Sequence, residues 1–349
     1  MESKTPILIR TDASVSIGTG HIMRMVALGQ AWQAQGGDVY FLCAEITPAL
    51  EQRLASEGFH LLRIHANLGS KEDLSETMHL ISKTLRDKSQ NARVVLDGYH
   101  FGSDYQLGIK AAGFKLLVVD DYGHGDFYHA DWVLNQNISA RAELYAKRSP
   151  HTKLLLGAKF AMLRKEFMAY KGWQRDIPPV GQKILVTLGG TDPDNVTLKV
   201  IEALIDLDLH VKVVVGGSNP HLSGIENFIQ RRNDNLALIE VIVNTTDMPK
   251  LMAWADIAVV AGGSTSWEVA FMGLPSLVFT FAENQKEIAL AIENTGLGVN
   301  LGWANEESYK KLKNVLGDFL SNPAQRQKIS DLGKNLIDGM GCSHIYKNI

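Results

Sequence analysis

The sequence has only two cysteines, Cys43 and Cys342, and their positions suggest neither a disulfide framework nor a zinc site, so both are expected to be buried thiols. It also has no dense run of Lys and Arg: 35 basic residues stand against 38 acidic ones, for a formal charge of -3. This balance does not indicate a nucleic-acid partner. No stretch approaches the roughly 20 apolar residues of a membrane span, and the apolar run before Arg10 is too short for a signal peptide. We therefore expect a cytoplasmic protein without membrane insertion.

Two common nucleotide-binding signatures are missing as well. No Gly-Lys-Ser/Thr follows a glycine loop, and the first glycine turn, "SIGTGHIMR", supplies only G-x-G, which argues against an ATPase and a dehydrogenase. His100, His124 and His129 lie near Asp120 and Asp121 but without a defined ligand spacing, so no metal is predicted. No cofactor is expected, and the sequence gives no oligomeric state.

Short β-branched apolar runs alternate with helical patterns along both halves of the chain. The runs in the first half are "PILIR", "DVYFLCA", "LLRIH", "RVVLDGY" and "KLLVVDDY", and those in the second are "KILVTLGG", "VKVVVGG", "LALIEVIV", "DIAVVAGG" and "SLVFTF". The alternation predicts an α/β fold with mostly parallel sheets covered on both faces. A proline-containing stretch, Lys171 to Gln182, separates the halves.

The predicted organisation is two Rossmann-like domains facing each other across a cleft. We place an N-terminal domain at 1–170, a C-terminal domain at 171–330, and a helix or tail that packs back on them at 331–349. In open α/β sheets, ligands bind beyond the carboxyl ends of the strands, so functional residues are expected in the loops there.

Three strands of the second half end in paired glycines, which permit close backbone approach. These loops contain Gly190, Gly216 and Gly263. Ser264 and Thr265 follow the last of them at the start of a predicted helix, where unpaired N–H groups and the helix dipole favour a phosphate. Glu268, one turn further, can accept hydrogen bonds from a ribose diol. Alternatively, Ser264 is an ordinary helix cap and Glu268 a favourable first-turn acid.

The segment "DMPKLMAWADIAVVAGGSTSWEVAFMGLPSLVFTFAENQ" resembles the donor-binding half of the GT-B glycosyltransferases, especially the UDP-N-acetylglucosamine transferase of peptidoglycan synthesis. Together with "RTDASVSIGTGHIMR", "LDGYHF", "VVDDYGHGDFYHADWVLNQN", "ILVTLGGTDPDN" and "DGMGCSH", it resembles the UDP-sugar hydrolases of pseudaminic acid biosynthesis. The blocks run in the same order over nearly the whole chain. Related chains occur in spore-coat polysaccharide loci, so the motifs indicate UDP more firmly than they indicate the sugar.

This resemblance implies a GT-B fold and hydrolysis of UDP-2,4-diacetamido-2,4,6-trideoxy-β-L-altropyranose to UDP and free sugar, with inversion at the anomeric carbon. Water replaces a sugar acceptor, and the partners are the UDP-sugar and water. The residues carried over as catalytic are His21, Tyr99 and Asn284. Those carried over or placed at the substrate and UDP are Asp12, Gly18, Gly20, Gly190, Gly216, Gly263, Ser264, Thr265, Glu268 and Gln285.

Within this interpretation His21 is the base that takes a proton from the attacking water. Its place at a helix N-terminus favours the neutral imidazole, because the positive end of the dipole opposes imidazolium formation. Otherwise it is a polar first-turn residue with its ring in solvent. Asp12, Asp97, Asp120 and Asp121 follow or end predicted strands, where each could orient His21, bind sugar hydroxyls or cap a turn.

Three rival functions remain at this point. A true glycosyltransferase would use His21 to deprotonate a sugar or lipid hydroxyl. A UDP-N-acetylglucosamine 2-epimerase shares the fold, although the ordered blocks match the hydrolases better. A non-catalytic nucleotide-sugar sensor would bind UDP without turnover.

Overall fold

The computed structural model describes residues 5–85, 92–232 and 236–349, which form two compact units. The first unit runs to Ile17, continues over His21–Lys165 and includes Met340–Ile349. The second comprises Gly18–Gly20 and Glu166–Gly339. Within the described residues, no helix is both long enough and apolar enough to cross a membrane.

The first unit is built on a seven-stranded sheet. Its strands are β1 (Ile7–Thr11), β2 (Val39–Cys43), β3 (His60–Arg63), β4 (Arg93–Asp97), β5 (Lys115–Val119), β6 (Trp132–Asn135) and β7 (Lys153–Leu156). The helices between them are α1 (Gly20–Ala34), α2 (Pro48–Ser56), α3 (Lys71–Leu85) and α4 (Ser103–Ala111). All pairs are parallel, in the order β3-β2-β1-β4-β5-β6-β7.

Alternating side chains of β1 explain why helices cover both faces of this sheet. Ile7 and Ile9 pack in one core with residues of α1 such as Met25, whereas Leu8 packs in the opposite core with Ile81 of α3. All three strand residues are fully buried. A strand buried on both faces reads as a continuous apolar run, which is the pattern that predicted it.

The second unit repeats this design with six strands. They are β8 (Lys183–Thr187), β9 (His210–Val215), β10 (Leu238–Val243), β11 (Ile257–Ala261), β12 (Ser276–Thr280) and β13 (Val299–Trp303). Its helices are α5 (Val196–Leu204), α6 (Leu222–Arg231), α7 (Met248–Trp254), α8 (Thr265–Phe271), α9 (Lys286–Thr295), α10 (Glu306–Ser321) and α11 (Pro323–Leu336). The strands are parallel, in the order β10-β9-β8-β11-β12-β13.

Both sheets have the doubly wound order 3-2-1-4-5-6 when the strands are counted from the first in each unit, and the first unit adds a seventh. In this topology the connections diverge on the two sides of the first strand, which opens a crevice at its carboxyl end. The predicted α/β class with two Rossmann-like units is confirmed. The crevices lie at the carboxyl ends of β1 and β4 in the first unit, and of β8 and β11 in the second.

The last helix, α12 (Gly341–Asn348), belongs to the first unit although it follows the whole second unit in sequence. Ile345 is fully buried in the core beside α1, and the ring of Tyr346 meets Trp32 edge to face at 4.8 Å. Cys342 lies in the same core, and burial raises the pKa of its thiol to about 12. The two cysteines are buried, free thiols, as predicted.

Candidate active site

The carboxyl ends of β1, β4 and β5 are level with one another. Thr11 pairs with Asp97, and Asp97 pairs with Val119, so the chain leaves all three strands at the same edge of the sheet. The loop after β1 leads into α1, which places His21 in the first helical turn above this edge. Asp121 follows β5 by two residues. The topology thus brings together residues that lie 76 and 100 positions apart in sequence.

His21 is buried and contacts Asp97 directly, with 2.7 Å between imidazole Nδ1 and carboxylate Oδ1. Asp97 is fully buried and ionised. Its burial alone would raise the carboxyl pKa, but the charge of Arg24 and the contact with His21 outweigh burial and hold the pKa below its usual range. Of the roles that the sequence left open for Asp97, the structure favours orientation of His21.

Arg24 lies one turn after His21 on α1 and bridges two carboxylates. Its Nε and Nη2 donate to the two oxygens of Asp97 at 2.7 and 2.6 Å, and Nη1 donates to both oxygens of Asp121 at 2.7 and 2.9 Å. The guanidinium is buried, and its pKa is raised because the two carboxylates outweigh the effect of desolvation. Burial raises and Arg24 lowers the pKa of Asp121, with a net decrease.

Tyr99 joins the same cluster from the loop after β4. Its hydroxyl donates to Oδ2 of Asp121 at 2.6 Å, and its ring meets the His21 ring edge to face with centroids 5.0 Å apart. Asn137 donates to the other oxygen of Asp121 at 3.0 Å. The structure therefore places the predicted pair His21 and Tyr99 side by side, each bonded to an ionised aspartate.

The other two aspartates, Asp120 and Asp12, accept hydrogen bonds from groups outside the His21 cluster. Asp120 accepts backbone N–H groups of the turn that follows it, from Tyr122 at 2.7 Å and Gly123 at 2.6 Å, so it has the turn role. Asp12 is buried and accepts from the Arg10 guanidinium at 2.5 Å, as well as from His100 and the backbone of the loop after β2. With these donors already in place, a contact of Asp12 with substrate stays a prediction.

The buried ion pairs make stability depend on acid pH. A carboxyl whose folded pKa lies below its unfolded value, about 3.9 for Asp, contributes stability above that value and loses it as the pH falls through the folded pKa. We expect the urea midpoint, followed by circular dichroism, to decrease steadily below about pH 4. Asp97→Asn should give a shallower decrease, since one such carboxyl is gone. A wild-type midpoint constant between pH 4 and 2.5 would contradict this expectation.

The predicted nucleotide residues of the second unit lie at one edge of its sheet, in the loops after β8, β9, β11 and β12. Ser264 immediately precedes α8 with helical dihedrals, and its side chain makes no capping bond in the described part of the chain. Glu268 lies in the first turn of α8. Asn284 lies in a 3₁₀ turn, Glu283–Gln285, and the Gln285 side chain accepts the Phe281 N–H at 3.0 Å. Asn284 thus belongs to the second unit, whereas His21 and Tyr99 belong to the first.

The structural reasons for glycine differ from one of these positions to the next. A β-carbon on Gly216 would overlap the backbone of Gly190, so packing of the two loops explains Gly216. At Gly263, a β-carbon would meet none of the described residues, so local packing does not demand glycine there. Gly18 has φ of +84°, a left-handed conformation that favours glycine, and Gly20 begins α1. The ligand contacts predicted for these five glycines stay predictions.

The sequence alone did not identify Arg24, Asn135 or Asn137 as residues of the candidate site. Arg24 lies three residues after His21, a spacing that puts both on one face of a helix, and the residues around it on α1 are mostly apolar. Asn135 donates to the Asp121 backbone carbonyl at 2.9 Å, beside the Asn137 contact. A lone charge at this spacing in an apolar helix was the available signal. Among the described residues, no group of three or more His, Cys, Asp or Glu could hold a metal ion.

Two doubly wound units of this strand order have the architecture of the GT-B fold. The solved structure of MurG from Acinetobacter baumannii is similar over 99% of both chains, with a TM-score of 0.64 at 15% identity. Residues 184–336 match the model of the glycosyltransferase family 28 C-terminal domain. The fold and the GT-B part of the predicted resemblance are confirmed.

Three curated proteins are similar to this chain in sequence. A UDP-2,4-diacetamido-2,4,6-trideoxy-beta-L-altropyranose hydrolase of Campylobacter jejuni is 24% identical over 295 residues, 84% of this chain and 98% of the relative. The spore coat polysaccharide biosynthesis protein SpsG of Bacillus subtilis is 26% identical over 232 residues, 65% of this chain and 66% of the relative. The chain spans 57% of the length of an uncharacterized relative from Methanocaldococcus jannaschii. These similarities confirm the predicted resemblance.

Proposed function

We propose that this protein hydrolyses a UDP-linked 2,4-diacetamido-2,4,6-trideoxy sugar to UDP and the free sugar, in pseudaminic acid biosynthesis. The name and the 98% coverage of the Campylobacter relative support this substrate class. The observation that carries a hydrolytic mechanism is the buried contact between His21 and ionised Asp97. A base aligned by a carboxylate is what activation of water requires.

The tautomer of His21 follows from its neighbours. An ionised carboxylate offers only lone pairs, so the nitrogen at 2.7 Å from Asp97 must carry a proton. We therefore assign the proton of the neutral ring to Nδ1. Nε2 then has a free lone pair, and it makes no hydrogen bond within the part of the chain that the structure describes. It is the atom that accepts the proton of water.

The charges of the cluster suit this transfer. One guanidinium, Arg24, faces two carboxylates, Asp97 and Asp121, so the cluster has a net negative charge while His21 is neutral. Proton uptake by His21 gives two positive and two negative charges. The imidazolium that forms as water attacks is thus stabilised by groups that are already in place, with little reorganisation.

The chemical step is a displacement at the anomeric carbon. The water oxygen forms a bond to that carbon, its proton moves to Nε2 of His21, and the bond from carbon to the UDP oxygen breaks with its electron pair on UDP. UDP is a good leaving group, so a second carboxylic acid of the kind glycosidases use is not needed. No cofactor or metal takes part in the proposed step.

The second unit is proposed to hold UDP. In this proposal, the backbone and hydroxyls of Ser264 and Thr265 contact the phosphates, and Glu268 the ribose. The free capping position of Ser264 supports this, because its hydroxyl is not used by the helix in the described structure. Gly190, Gly216 and Gly263 border the nucleotide. Asn284 and Gln285, on the loop after β12, are assigned to the sugar or the attacking water, as is Tyr99.

A glycosyltransferase is the second candidate, favoured by the family 28 match over residues 184–336. It would use the same base on an acceptor hydroxyl. The two functions differ in one measurable respect, since a hydrolase needs only water whereas a transferase releases the sugar only when an acceptor is present.

The deciding experiment is a proton NMR time course with the UDP-linked diacetamido-trideoxy-altrose in ¹⁸O-enriched water without acceptor. We expect UDP and free sugar in equal amounts, and UDP without ¹⁸O by mass spectrometry, because water attacks carbon and not phosphorus. Label in UDP would contradict the proposed bond cleavage. Turnover that appears only after an acceptor is added would establish the transferase, and UDP binding without any turnover a sensor.

A further inference from the structure

A second pair of histidine and aspartate lies at the crevice of the first unit. Nε2 of His100, in the loop after β4, lies 3.0 Å from Oδ2 of Asp12. The two pairs cross each other in sequence. His21 follows β1 and contacts Asp97, the last residue of β4, whereas His100 follows β4 and contacts Asp12, which comes directly after β1. The proposed mechanism uses the first pair and gives the second no role.

The two histidines come from opposite faces of the sheet. His21 lies at the start of α1, which packs with Ile7 and Ile9 on one face. His100 precedes α4, which packs with Leu8 on the other face. In doubly wound sheets, ligands bind at the crevice where the connections diverge in this way. A ligand at the carboxyl ends of β1 and β4 therefore has His21 on one side and His100 on the other.

Close packing fixes the position of His100. Its ring lies against the ring of Phe101, with centroids 4.1 Å apart. A β-carbon on Gly98 would come within 2.8 Å of Cε1 of the imidazole, and one on Gly69 would overlap the His100 carbonyl oxygen. The loop after β4 thus holds this imidazole in one place at the edge of the sheet.

The contact with Asp12 orients the imidazole. Asp12 also accepts from the Arg10 guanidinium and from the backbone N–H groups of Ala44 and Glu45, so its carboxylate is satisfied without His100. Burial would raise the pKa of Asp12, but the contact with His100 and the charge of Arg10 outweigh burial and hold it below its usual range. An ionised carboxylate offers only lone pairs, so Nε2 of His100 carries the proton and Nδ1 of the neutral ring keeps its lone pair.

This second nitrogen of His100 is open. The side chain is 23% exposed, and Nδ1 neither is buried nor makes a hydrogen bond within the described part of the chain. We propose that His100 is a specificity residue whose Nδ1 accepts a hydrogen bond from an acetamido N–H of the sugar. The inference rests on the proposed function and deepens it. The proposed sugar has two acetamido groups, and because an amide N–H can only donate, a nitrogen that can only accept complements it.

The test is calorimetry of His100→Gln with the UDP-linked diacetamido-trideoxy-altrose, in the His21→Ala enzyme to slow turnover. The glutamine amide can still donate to Asp12 from the place of Nε2, but it offers no acceptor in place of Nδ1. We expect affinity for the UDP-sugar to fall about five- to thirtyfold, the effect of one lost hydrogen bond, and affinity for UDP to stay the same. With His21 present, KM should rise while kcat stays within about threefold. A folded His100→Gln with unchanged affinity for the UDP-sugar would overturn the proposal.

His100→Asn should give the opposite pattern. Asparagine can place Oδ1 near the position of Nδ1, but it is too short to donate to Asp12. We expect affinity for the UDP-sugar within about threefold of the parent enzyme, together with a lower urea midpoint, because a buried carboxylate has lost one donor. A His100→Asn variant that binds as weakly as His100→Gln would assign the effect to the link with Asp12, and the role of Nδ1 would fail.

Two controls make the binding loss specific. His129→Gln makes the same exchange in the same unit, where Nε2 lies 3.1 Å from the Ser103 hydroxyl, and it should leave the affinity for the UDP-sugar unchanged. An equal loss in His129→Gln would overturn the proposal. With a 3-deoxy analogue of the sugar, the loss caused by His100→Gln should persist. A loss that vanishes would assign the contact to the sugar hydroxyl and overturn the acetamido assignment.

¹⁵N NMR of histidine keeps the test decisive if His100→Gln does not fold, with His100→Asn to assign the signals. At pH 8 we expect a proton on Nε2 of His100 and none on Nδ1, and a shift of the Nδ1 signal with the UDP-sugar but not with UDP. Two protonated nitrogens, or no shift with the UDP-sugar, would overturn the inference. If the UDP-sugar binds but wild type releases no sugar, the proposed function fails, whereas these binding measurements still test His100 by themselves.

Discussion

His21→Ala is expected to lower kcat for sugar release by about 10² to 10⁴-fold, the usual contribution of a general base. The physical reason is that Asp97 cannot replace Nε2, because it lies on the Nδ1 side of the ring and is held by Arg24. The measurement is the NMR time course at saturating substrate. UDP affinity, measured by calorimetry, should stay the same, because the proposed UDP contacts lie in the second unit.

His129→Ala is the control for loss of a histidine in the same unit. His129 is partly buried and lies 3.1 Å from the Ser103 hydroxyl through Nε2, outside the His21 cluster. Its kcat should stay within about threefold of wild type, since most substitutions away from a site act only on stability. A His21→Ala enzyme as active as His129→Ala would remove His21 from the chemistry and return the assignment of the base to Tyr99 or Asn284.

The second large effect is expected for Asp97→Asn, with a loss in kcat of about 10² to 10⁴-fold. The amide removes the charge that stabilises the imidazolium. In one of its two orientations, it also donates to Nδ1 and moves the histidine proton to Nε2, where it blocks the base. The same exchange in the serine-protease triad costs about 10⁴-fold for that reason. Steady-state kinetics between pH 6 and 9 measure the loss.

Asp131→Asn controls for the introduction of a buried amide. Asp131 is also buried, at 8% exposure against 0% for Asp97, and it accepts from Lys110 at 2.6 Å and from the Leu116 N–H at 2.8 Å, away from His21. It should reduce the urea midpoint with little change in kcat. If Asp97→Asn matched Asp131→Asn in kcat, His21 would not depend on a carboxylate, and the tautomer argument would be wrong.

The sequence predicted strands where the chain has short apolar, β-branched runs that alternate with helical patterns. It did not predict β6, β7 or β13, which are four or five residues long. In β13, "VNLGW", asparagine and glycine interrupt the apolar pattern, and the strand is recognisable only through its pairing with β12. Short edge-region strands depend on their neighbours for burial, and a local pattern carries little of that information.

The candidate site shows the same limit at the level of single side chains. His21 was selected from its loop and from the family resemblance. Asp97 could not be separated from Asp120 or Asp121, because its partner is fixed by the β1-β4-β5 strand order, which is a non-local property. Asp120 and Asp121 are adjacent, yet one closes a turn and the other binds Arg24 and Tyr99. The two roles differ because the backbone after β5 directs these adjacent side chains to different partners.

The position of α12 has a consequence for how the chain folds during synthesis. The first unit needs Ile345 and its neighbours to complete its core, whereas the second unit has all its residues by Gly339. At about 5 to 20 residues per second, the early strands wait many seconds for their last helix. The unit that is translated first is therefore completed last, and until then the core surface beside α1 that α12 covers stays exposed.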